Sequence, residues 1–394
     1  MRIFLVAGEV SGDLLGAELM EEMSRLSGGA AEYFGIGGAK MAAAGQKQMA
    51  GIDALAIFGI VDGARSIPRI RRLIRDAADE ARRVGADVLV TIDIPDFAIH
   101  LSRALGGGDI FRVQYVCPAV WVWRGWRARG FARHNELLLS VLGFDAACFE
   151  PHGGEVAFVG HPAVWRARRR VEEVARGEPV AETRARFGIG EGAVPLIFLP
   201  GSRRSELRHN LGLMAGALRL LAEGEGDLNL HILSPVRDDF ADEVRGVLAG
   251  LPWGASVITD EADKWRAFRA AGAALAVSGT VTLELAAARV PMVALYNVST
   301  INYHLNNLFI RGRVRKYGLS LPNLVWEERV VADYLRRPIG EGAIARDLRR
   351  LLTDSDHHDR TRAGLEAVSE RLVPAGSESP SRRAALEIYR RIKK

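Results

Sequence analysis

Short apolar runs alternate with segments of helical length along most of this 394-residue chain, and this alternation most limits the fold. Apolar runs bounded by turn residues are typical of buried parallel strands, and helices between them cover both faces of the sheet. The alternation occurs in two blocks, which predicts two doubly wound α/β domains with parallel sheets that face each other across a cleft. The predicted strands are Ile3–Ala7, Val88–Ile92, Val113–Cys117, Leu137–Val141 and Ala157–Val159, then Leu196–Leu199, Leu228–Leu233, Ala273–Val277 and Val290–Tyr296.

Changes in composition predict the domain boundaries. Residues 1–165 form a first Rossmann-like domain, and the charged, glycine-rich segment 166–193 is predicted to be a linker with a connecting helix. Residues 194–375 form a second Rossmann-like domain. Residues 376–394 are predicted to pack back on the first domain as a helix that begins at Ser379-Pro380, a cap residue followed by proline. Further helical patterns lie around Leu14–Leu26 and Ile70–Val84.

Composition is ordinary for a soluble α/β protein, with 48% apolar residues and a net charge of +5. We find no run of roughly 18 apolar residues that would span a membrane. The apolar N-terminus meets Glu9 too early for a signal peptide and is interpreted as a buried strand. Cys117 and Cys148 have no metal-ligand spacing, which favours a reducing cytosol and predicts no metal.

The turn Pro200-Gly201-Ser202-Arg203 directly follows an apolar strand, so it presents backbone N–H groups and a guanidinium at one place. Helix N-termini attract anions and arginine pairs bidentately with phosphate, so this turn suits a diphosphate. Ser278-Gly279-Thr280 repeats the arrangement, with Glu284 on the next helix. Each turn alone also fits ordinary strand punctuation, but together they favour a nucleotide site at the carboxyl edge of a parallel sheet.

Two carboxylate-bearing turns follow strands in the first block. Gly8-Glu9-Val10-Ser11-Gly12-Asp13 is interpreted either as a substrate-binding turn or as an ordinary turn with a helix cap. Asp93 ends an apolar strand, where a carboxylate can take the proton from an acceptor hydroxyl. Asp96 follows Pro95 and is the more natural cap for the next helix, which leaves Asp93 as the favoured chemical group.

Three tryptophans lie within Trp121-Val122-Trp123-Arg124-Gly125-Trp126. Aromatic residues interleaved with arginine suit a lipid headgroup, a glycolipid phosphate or a nucleic acid, and they equally fit core aromatics beside a solvated helix face. Nothing in the chain resembles a nucleic-acid-binding module, so no nucleic-acid partner is predicted.

The basic amphipathic segment 67–81 also has two interpretations. It is interpreted as an element that rests on an anionic bilayer, preceded by Ile57–Val61, or as an ordinary surface helix that packs on the sheet. The apolar positions are Ile67, Ile70, Leu73, Ile74, Ala77, Ala78 and Ala81, and the basic positions are Arg69, Arg71, Arg72 and Arg75.

Taken in order, these motifs resemble those of the lipid-A-disaccharide synthase family, inverting glycosyltransferases of the GT-B fold. The series extends from residue 3 to about residue 325 in the family's order and spacing. The matching runs are Ala7–Asp13, Gly59–Val61, Ile92–Phe97, Val120–Arg124, Phe158–Pro162, Leu199–Arg203 with Glu206, Ser278–Thr280 with Glu284, Pro291–Val293 and Ser320–Leu324.

The resemblance implies the substrates, the site residues and the location of the protein. The family transfers 2,3-diacylglucosamine from UDP to 2,3-diacylglucosamine 1-phosphate, which releases UDP and a β-1′,6-linked disaccharide. By resemblance Asp93 is the general base and Arg203 binds the diphosphate, so no metal or other cofactor is expected. The resemblance also implies a cytoplasmic protein at the inner face of the cytoplasmic membrane, and a homodimer.

The other site residues implied by the resemblance fall into two sets. UDP contacts are expected from Gly201, Ser202, Ser278, Gly279, Thr280, Glu284 on the ribose hydroxyls, and Asn323 nearby. Acceptor-side contacts are expected from Glu9, Ser11, Gly12, Asp13, Asp96, Trp121, Trp123 and Arg124.

Several positions depart from the family's pattern and leave two alternatives open. Ala98 stands where the family usually has asparagine, and Cys117-Pro118-Ala119 replaces its Ser-Pro-Gln. Asn297 replaces a basic residue, and Arg336 lies where a polar stretch is lost. The alternatives are a UDP-sugar transferase with a changed acceptor and a non-catalytic nucleotide-sugar-binding relative. A binding module has no need of a base such as Asp93, which argues against the second alternative.

Overall fold

The computed structural model describes residues 1–392 except 57–62, 123–124, 225, 298–312, 335–338 and 375, and no side chain is described at 56 or 63–66. The predicted run Ile57–Val61, together with Trp123, Arg124 and Arg336, therefore lies outside the described residues. The chain divides into two compact units, Met1–Pro162 with Gly376–Lys394, and Ala163–Ala375.

The described part of the N-terminal unit is built on seven parallel strands. These are β1 (Arg2–Ala7), β2 (Glu32–Gly37), β3 (Gln46–Gly51), β4 (Val88–Ile92), β5 (Phe111–Tyr115), β6 (Leu137–Ser140) and β7 (Val156–Phe158). The helices between them are α1 (Val10–Leu26), α2 (Ala39–Ala43), α3 (Asp53–Ala56), α4 (Gly63–Arg83), α5 (Pro95–Leu105), α6 (Ala128–His134) and α7 (Ala146–Phe149). The strand order is β3-β2-β1-β4-β5-β6-β7, so the direction of winding reverses between β1 and β4.

The second unit repeats this plan with six parallel strands among its described residues. These are β8 (Val194–Leu199), β9 (Leu230–Pro235), β10 (Gly254–Ile258), β11 (Ala273–Val277), β12 (Met292–Leu295) and β13 (Ala332–Tyr334). Its helices are α8 (Pro162–Gly177), α9 (Val180–Arg186), α10 (Arg204–Glu223), α11 (Ala241–Leu248), α12 (Glu261–Ala270), α13 (Val281–Ala287), α14 (Arg313–Tyr317), α15 (Leu321–Trp326), α16 (Glu341–Thr353) and α17 (Ser355–Leu372). The order β10-β9-β8-β11-β12-β13 reverses between β8 and β11.

The prediction of two doubly wound parallel sheets is confirmed. Strands β4 and β11 have the predicted bounds, whereas β5 ends two residues early because Val116 turns into a left-handed conformation with φ of 66°. Strands β2, β3, β10 and β13 were not predicted. Strands β3, β10 and β13 are edge strands, and β2 carries a glutamate and two glycines. Only strands buried on both faces are continuously apolar.

The segment predicted as a linker, 166–193, consists largely of α8 and α9 and belongs to the second unit. The chain ends in α18 (Pro380–Ile392), which packs on α1 in the N-terminal unit. Its first turn is capped by Ser379, whose hydroxyl accepts the N–H of Arg382 at 3.1 Å. Ser381 donates to the Glu18 carboxylate of α1 at 2.8 Å, which fastens the two helices together.

Helix α4 contains the amphipathic segment and packs most of its apolar positions inside the protein. Ile74, Ala77, Ala78 and Ala81 are buried, and they pack with α5 and the sheet in one apolar cluster. From the second described turn of α4 onward, the apolar face therefore packs against the protein's own core, as in an ordinary surface helix. Among the apolar positions of the segment 67–81, only Ile67 is exposed, at 45%. None of the described helices is both long enough and apolar enough to cross a bilayer.

Gly35 in β2 provides a test of the sheet. Its φ of 127° is in a region that glycine alone adopts readily, and an added Cβ would overlap the Leu5 carbonyl oxygen of β1. Left-handed backbone strain alone costs about 1–2 kcal/mol. Because the new Cβ would also overlap β1, we expect Gly35→Ala to lower the free energy of unfolding by more than that. Gly28→Ala is the matched control, because Gly28 has φ of 62° with open space around it. Equal losses in urea denaturation would contradict the close approach of β1 and β2.

Candidate active site

The first candidate site lies where the winding of the N-terminal sheet reverses. Strands β1 and β4 pair in parallel with Ala7 opposite Ile92, so their carboxyl ends lie side by side. Ligands of open α/β sheets bind outside the carboxyl ends of the strands at such a reversal. Glu9 follows β1 and Asp93 follows β4, so the reversal brings these two carboxylates together.

Close packing of the two turns holds Asp93 in an unusual backbone conformation. Gly8 is buried against Ile94, and a Cβ at Gly8 would overlap Ile94 Cγ2. The neighbouring Asp93 has φ of 46°, in the left-handed region that non-glycine residues seldom adopt outside functional sites and turns. The packing of the two turns thus requires glycine at position 8. The sequence indicated only that Gly8 belongs to a turn.

The electrostatics of Asp93 suit proton transfer. Its side chain is open to solvent, but surrounding protein removes part of its hydration. This desolvation raises the pKa of Asp93 to about 6, and the negative charge of Glu9 adds to the rise. At pH 7 Asp93 is therefore mostly ionised and more basic than an ordinary aspartate, as a general base requires.

The remaining residues of the first turn divide into exposed and structural positions. Glu9 is exposed, and its carbonyl accepts the Asp13 N–H at 2.9 Å, while Ser11 is also exposed on the first turn of α1. Gly12 is buried beside the ends of β1 and β4. Asp13 is 3% exposed, and its carboxylate accepts three backbone N–H groups at the start of α2. The donors are Gly38, Lys40 and Met41, at 2.8, 2.9 and 3.0 Å. Asp13 therefore caps α2 from below the turn.

Asp96 has a different role from the predicted helix cap. Helix α5 begins at Pro95 with Ile94 as its N-cap residue, and no side chain caps it. Asp96 lies inside the first turn, where its carboxylate pairs with the Arg127 guanidinium at 2.7 Å. The capping prediction was wrong because proline takes the first helical position and moves Asp96 one place into the helix.

The aromatic segment is partly buried and partly exposed. Trp121 is half-buried and meets Phe144 edge to face, with ring centroids 5.3 Å apart. Its indole N–H has no acceptor among the described residues. Trp126 is 78% exposed. Trp121 is therefore held against a neighbouring ring, whereas Trp126 is available to contact a partner.

The second candidate site lies at the reversal of the second sheet. Strands β8 and β11 pair in parallel, with Leu199 opposite Ala276. The two turns predicted to bind a nucleotide, Pro200–Arg203 and Ser278–Thr280, follow these two strands. They are therefore neighbours at the carboxyl edge of the sheet, where the strand order places a ligand.

The expectation of free N–H groups in the first of these turns was wrong. Glu206, in the first turn of α10, accepts the N–H groups of Ser202 at 2.9 Å and Arg203 at 3.4 Å. The Arg203 guanidinium is 72% exposed and lies 3.8 Å from the same carboxylate. Gly201 has φ of 130°, and its missing Cβ leaves room for Glu206. The protein thus fills its own anion position with a capping carboxylate.

Glu284 is held by a cation that the sequence analysis did not single out. Its carboxylate lies 2.9 Å from the Lys264 ammonium of α12, and both side chains are about one-fifth exposed. In the preceding turn, Gly279 and Thr280 are exposed and Ser278 is half-buried. No local pattern could reveal the pairing, because twenty residues separate its partners.

Tyr296 is a further residue that the sequence analysis missed. It follows β12 and is half-buried, and burial raises the pKa of Tyr296 while the nearby charge of Glu206 raises it further. Asn297 donates to the His209 carbonyl of α10 at 2.8 Å. The segment after β12 therefore lies beside the start of α10. In the sequence, only the position of a tyrosine directly after a buried strand indicated that Tyr296 is of interest.

Asn323 has a structural role in the fold. It is fully buried in α15, and its amide exchanges two hydrogen bonds with the backbone of Val331, at 3.0 and 2.9 Å. Both polar ends of the side chain are thus used to hold the approach to β13. Among the described residues, no three His, Cys, Asp or Glu side chains are grouped so that they could hold a metal ion.

The class of protein follows from the two units and their reversal points. Two doubly wound parallel sheets are the architecture of GT-B-like enzymes. A glycosyltransferase from Rickettsia africae superposes with a TM-score of 0.58 at 10% identity, covering 100% of this chain and 98% of that one. UDP-GlcNAc 2-epimerase from Neisseria meningitidis gives 0.61 at 10% identity and covers both chains completely. At such low identity the likeness establishes the fold alone.

The family follows from the sequence over nearly its full length. Residues 3–385 match the lipid-A-disaccharide synthetase family. The lipid-A-disaccharide synthase of Nitrobacter winogradskyi is 35% identical over 387 residues, and that of Rhodopseudomonas palustris strain BisB18 is 37% identical over 388. Each alignment covers 98% of this chain and 94% of the relative. The chain belongs to the lipid-A-disaccharide synthase family.

The raised pKa of Asp93 predicts a pH-dependent effect on stability. A carboxyl group whose pKa is about 6 when folded and lower when unfolded destabilises the fold once it ionises, so this loss is present above pH 6 and absent near pH 4. We expect Asp93→Asn to raise the melting temperature at pH 8 and to leave it unchanged at pH 4. Asparagine also tolerates the left-handed conformation. A stabilisation of equal size at both pH values would contradict the shift.

Proposed function

We propose that the chain transfers 2,3-diacylglucosamine from UDP-2,3-diacylglucosamine to 2,3-diacylglucosamine 1-phosphate, with inversion at the anomeric carbon. The family match over residues 3–385 is the observation that carries this proposal. Polar residues at the reversal points of both sheets support it, since each unit then offers a place for one substrate.

Asp93 serves as the general base in this proposal. The acceptor hydroxyl oxygen forms a bond to the anomeric carbon of the donor, the bond from that carbon to the diphosphate oxygen breaks, and the hydroxyl proton passes to Asp93. The pKa of Asp93, raised to about 6, makes it a stronger base than free aspartate. Its left-handed backbone and the packing of Gly8 against Ile94 fix the main chain from which the carboxylate projects.

The departing UDP is stabilised from the second unit. Arg203 is largely exposed and can pair with diphosphate oxygens as negative charge develops on them. Gly201 and Ser202 form the turn that carries it, and Ser278–Thr280 offers further donors at the start of α13. Glu284 binds the ribose hydroxyls. Asn323 supports this site from the buried side, since its amide is engaged by the backbone of Val331.

The acceptor lies at the first reversal point. Glu9 is exposed near Asp93, Ser11 is exposed two residues later, and Gly12 and Asp13 are buried in the same turn. Asp96 is exposed beside Arg127, and their pairing would orient a guanidinium toward the acceptor phosphate. Trp121, Trp123 and Arg124 complete the acceptor side of the proposal.

Contact with the inner face of the cytoplasmic membrane delivers both lipid substrates. Trp126 is 78% exposed, and tryptophan favours the headgroup region. The arginines of α4 at 69, 71, 72 and 75 are exposed and suit anionic headgroups. The buried face of α4 is not available to lipid, so the basic face supports the proposed contact.

A transferase with a changed acceptor remains the second candidate. Ala119, where the family has glutamine, is exposed beside the aromatic segment, so a polar group is lost from this surface. Ala98 and Cys117 differ from the family as well, but both are buried in one apolar cluster and do not face substrate directly.

The decisive experiment measures UDP release by the full chain with both substrates in detergent. We expect release that requires the acceptor, and Asp93→Asn should lower kcat by about 10²–10⁴-fold because no base remains. UDP binding by that variant should be intact. Arg203→Met should instead weaken UDP binding by about tenfold or more, the value of a hydrogen bond to a charged group.

The outcomes separate the alternatives. UDP binding without acceptor-dependent release would favour a changed acceptor, which a panel of other sugar lipids would then identify. Full activity of Asp93→Asn would place the base elsewhere. Lys47→Met is a suitable control, because Lys47 lies on the edge strand β3 and pairs with Glu32 in solvent.

Glu9→Gln tests the coupling of the two carboxylates. Removal of the negative charge lowers the pKa of Asp93, because Glu9 contributes to its rise above the ordinary value. We expect the acidic limb of the kcat/KM profile, near pH 6 in the unchanged protein, to move to lower pH. The plateau value reports any separate contact of Glu9 with the acceptor. An acidic limb that does not move would contradict the coupling.

A further inference from the structure

The pair formed by Lys264 and Glu284 joins two helices that flank β11. Lys264 is the fourth residue of α12, which leads into β11, and Glu284 is the fourth residue of α13, which leaves it. Their charged groups lie 2.9 Å apart and are about one-fifth exposed. The pair is therefore shielded more than most surface ion pairs and is worth more than they are.

The pair lies at the edge of the sheet where the nucleotide is proposed to bind. Helices that follow parallel strands begin at the carboxyl edge, and α12 follows β10 as α13 follows β11. Both members of the pair are in first turns. The turns Pro200–Arg203 and Ser278–Thr280 lie at the same edge, so Lys264 is close to the site without belonging to its motifs.

Lys264 is held in place by neighbours on its own helix as well as by Glu284. The first turn of a helix carries a partial positive charge, which favours acidic residues over lysine. Asp260 at the N-cap, and Glu261 and Asp263 in the first turn of α12, follow this rule. Lys264 comes next, and its ammonium lies 3.5 Å from the Glu261 carboxylate. The ammonium also lies over the Trp265 ring at 4.6 Å, which fixes its side chain. Glu261 and Trp265 thus restrict the Lys264 side chain on α12, while its shorter ion pair, at 2.9 Å, is with Glu284 on α13.

We infer that Lys264 is a positioning residue that holds the Glu284 carboxylate in place for the two hydroxyls of a nucleoside diphosphate ribose. This inference rests on the proposed function, because it assigns Glu284 to the ribose. Carboxylate oxygens can each accept more than one hydrogen bond, so Glu284 can keep Lys264 while it accepts from the diol. Without Lys264 the Glu284 carboxylate can rotate toward water. The ligand must then order the Glu284 side chain as it binds, at a cost in binding free energy.

Lys264 has a second effect on the same site. Glu284 is a negative charge beside a proposed diphosphate site, and Lys264 neutralises it. That neutralisation improves the binding of any diphosphate by the same factor, whether or not the ribose is complete. Positioning, in contrast, improves only the binding of ligands that carry the hydroxyl. The two effects are therefore separated by the ratio of affinities for UDP and 2′-deoxy-UDP.

The experiment is calorimetric titration of the full chain with UDP and with 2′-deoxy-UDP. The proteins are the unchanged chain, Lys264→Met, Lys264→Arg, Glu284→Gln and the Lys264→Met/Glu284→Gln double variant. The unchanged chain should prefer UDP by about tenfold or more, the value of one hydrogen bond to a charged acceptor. Lys264→Met should lower this preference to that of Glu284→Gln, Lys264→Arg should restore most of it, and the double variant should show no further loss.

The matched control is Lys47→Met in the N-terminal unit, where Lys47 pairs with Glu32 at 3.6 Å in solvent. It should leave both affinities unchanged. A Lys264→Met variant that keeps the full preference for UDP overturns the inference, as does an unchanged chain without any preference. Failure of the unchanged chain to bind either nucleotide would instead refute the proposed function. Melting temperatures identify any variant that is misfolded. If Lys264→Met is misfolded, the affinities of Lys264→Arg for the two nucleotides test the inference instead.

Discussion

The parallel pairing of β1 with β4, and of β8 with β11, is the constraint on which both candidate sites depend. Each pairing places two chain-distant turns next to each other at the carboxyl edge of a sheet. In the N-terminal unit the turns approach so closely that only glycine fits at position 8. Desolvation of Asp93 raises its pKa most, and the proximity of Glu9, which follows from that packing, adds to the rise. Sheet topology thus determines the chemistry of a side chain.

Much of the fold could be predicted because its central strands are buried on both faces. The apolar runs of β4 and β11 gave their bounds directly. Strand β2 escaped prediction because Gly35 and Gly37 look like turn residues, although Gly35 is required by the close approach of Leu5. Strand β13 is an edge strand of three residues with Asp333 at its centre, and its carboxylate accepts the N–H groups of Leu319 and Ser320. These hydrogen bonds join separate segments of the chain, so no local sequence pattern reveals them.

The candidate sites were predictable in position and less so in detail. A strand followed by Asp93 or by Pro200–Arg203 indicates where a ligand is expected, because ligands of parallel sheets bind at the carboxyl edge. The structural roles of Asp13 and Asn323 could not be told from functional ones, since an aspartate or asparagine near a turn suits either. Which backbone groups they satisfy depends on segments eight or more residues away. The departures at Ala98 and Cys117 also become intelligible in the structure, where two apolar replacements share one buried cluster.

The carboxylate of Glu206 on the Ser202–Arg203 turn has a consequence for selectivity among small anions. A group tethered within the same helical turn is present at a high effective concentration, so any anion that uses these N–H groups must displace it. Inorganic phosphate and sulfate bring little else to offset that exchange. A nucleoside diphosphate, the proposed ligand, would gain further contacts elsewhere, for example at Ser278–Thr280. In the proposed nucleotide site the internal carboxylate would thus select against simple anions such as phosphate and sulfate.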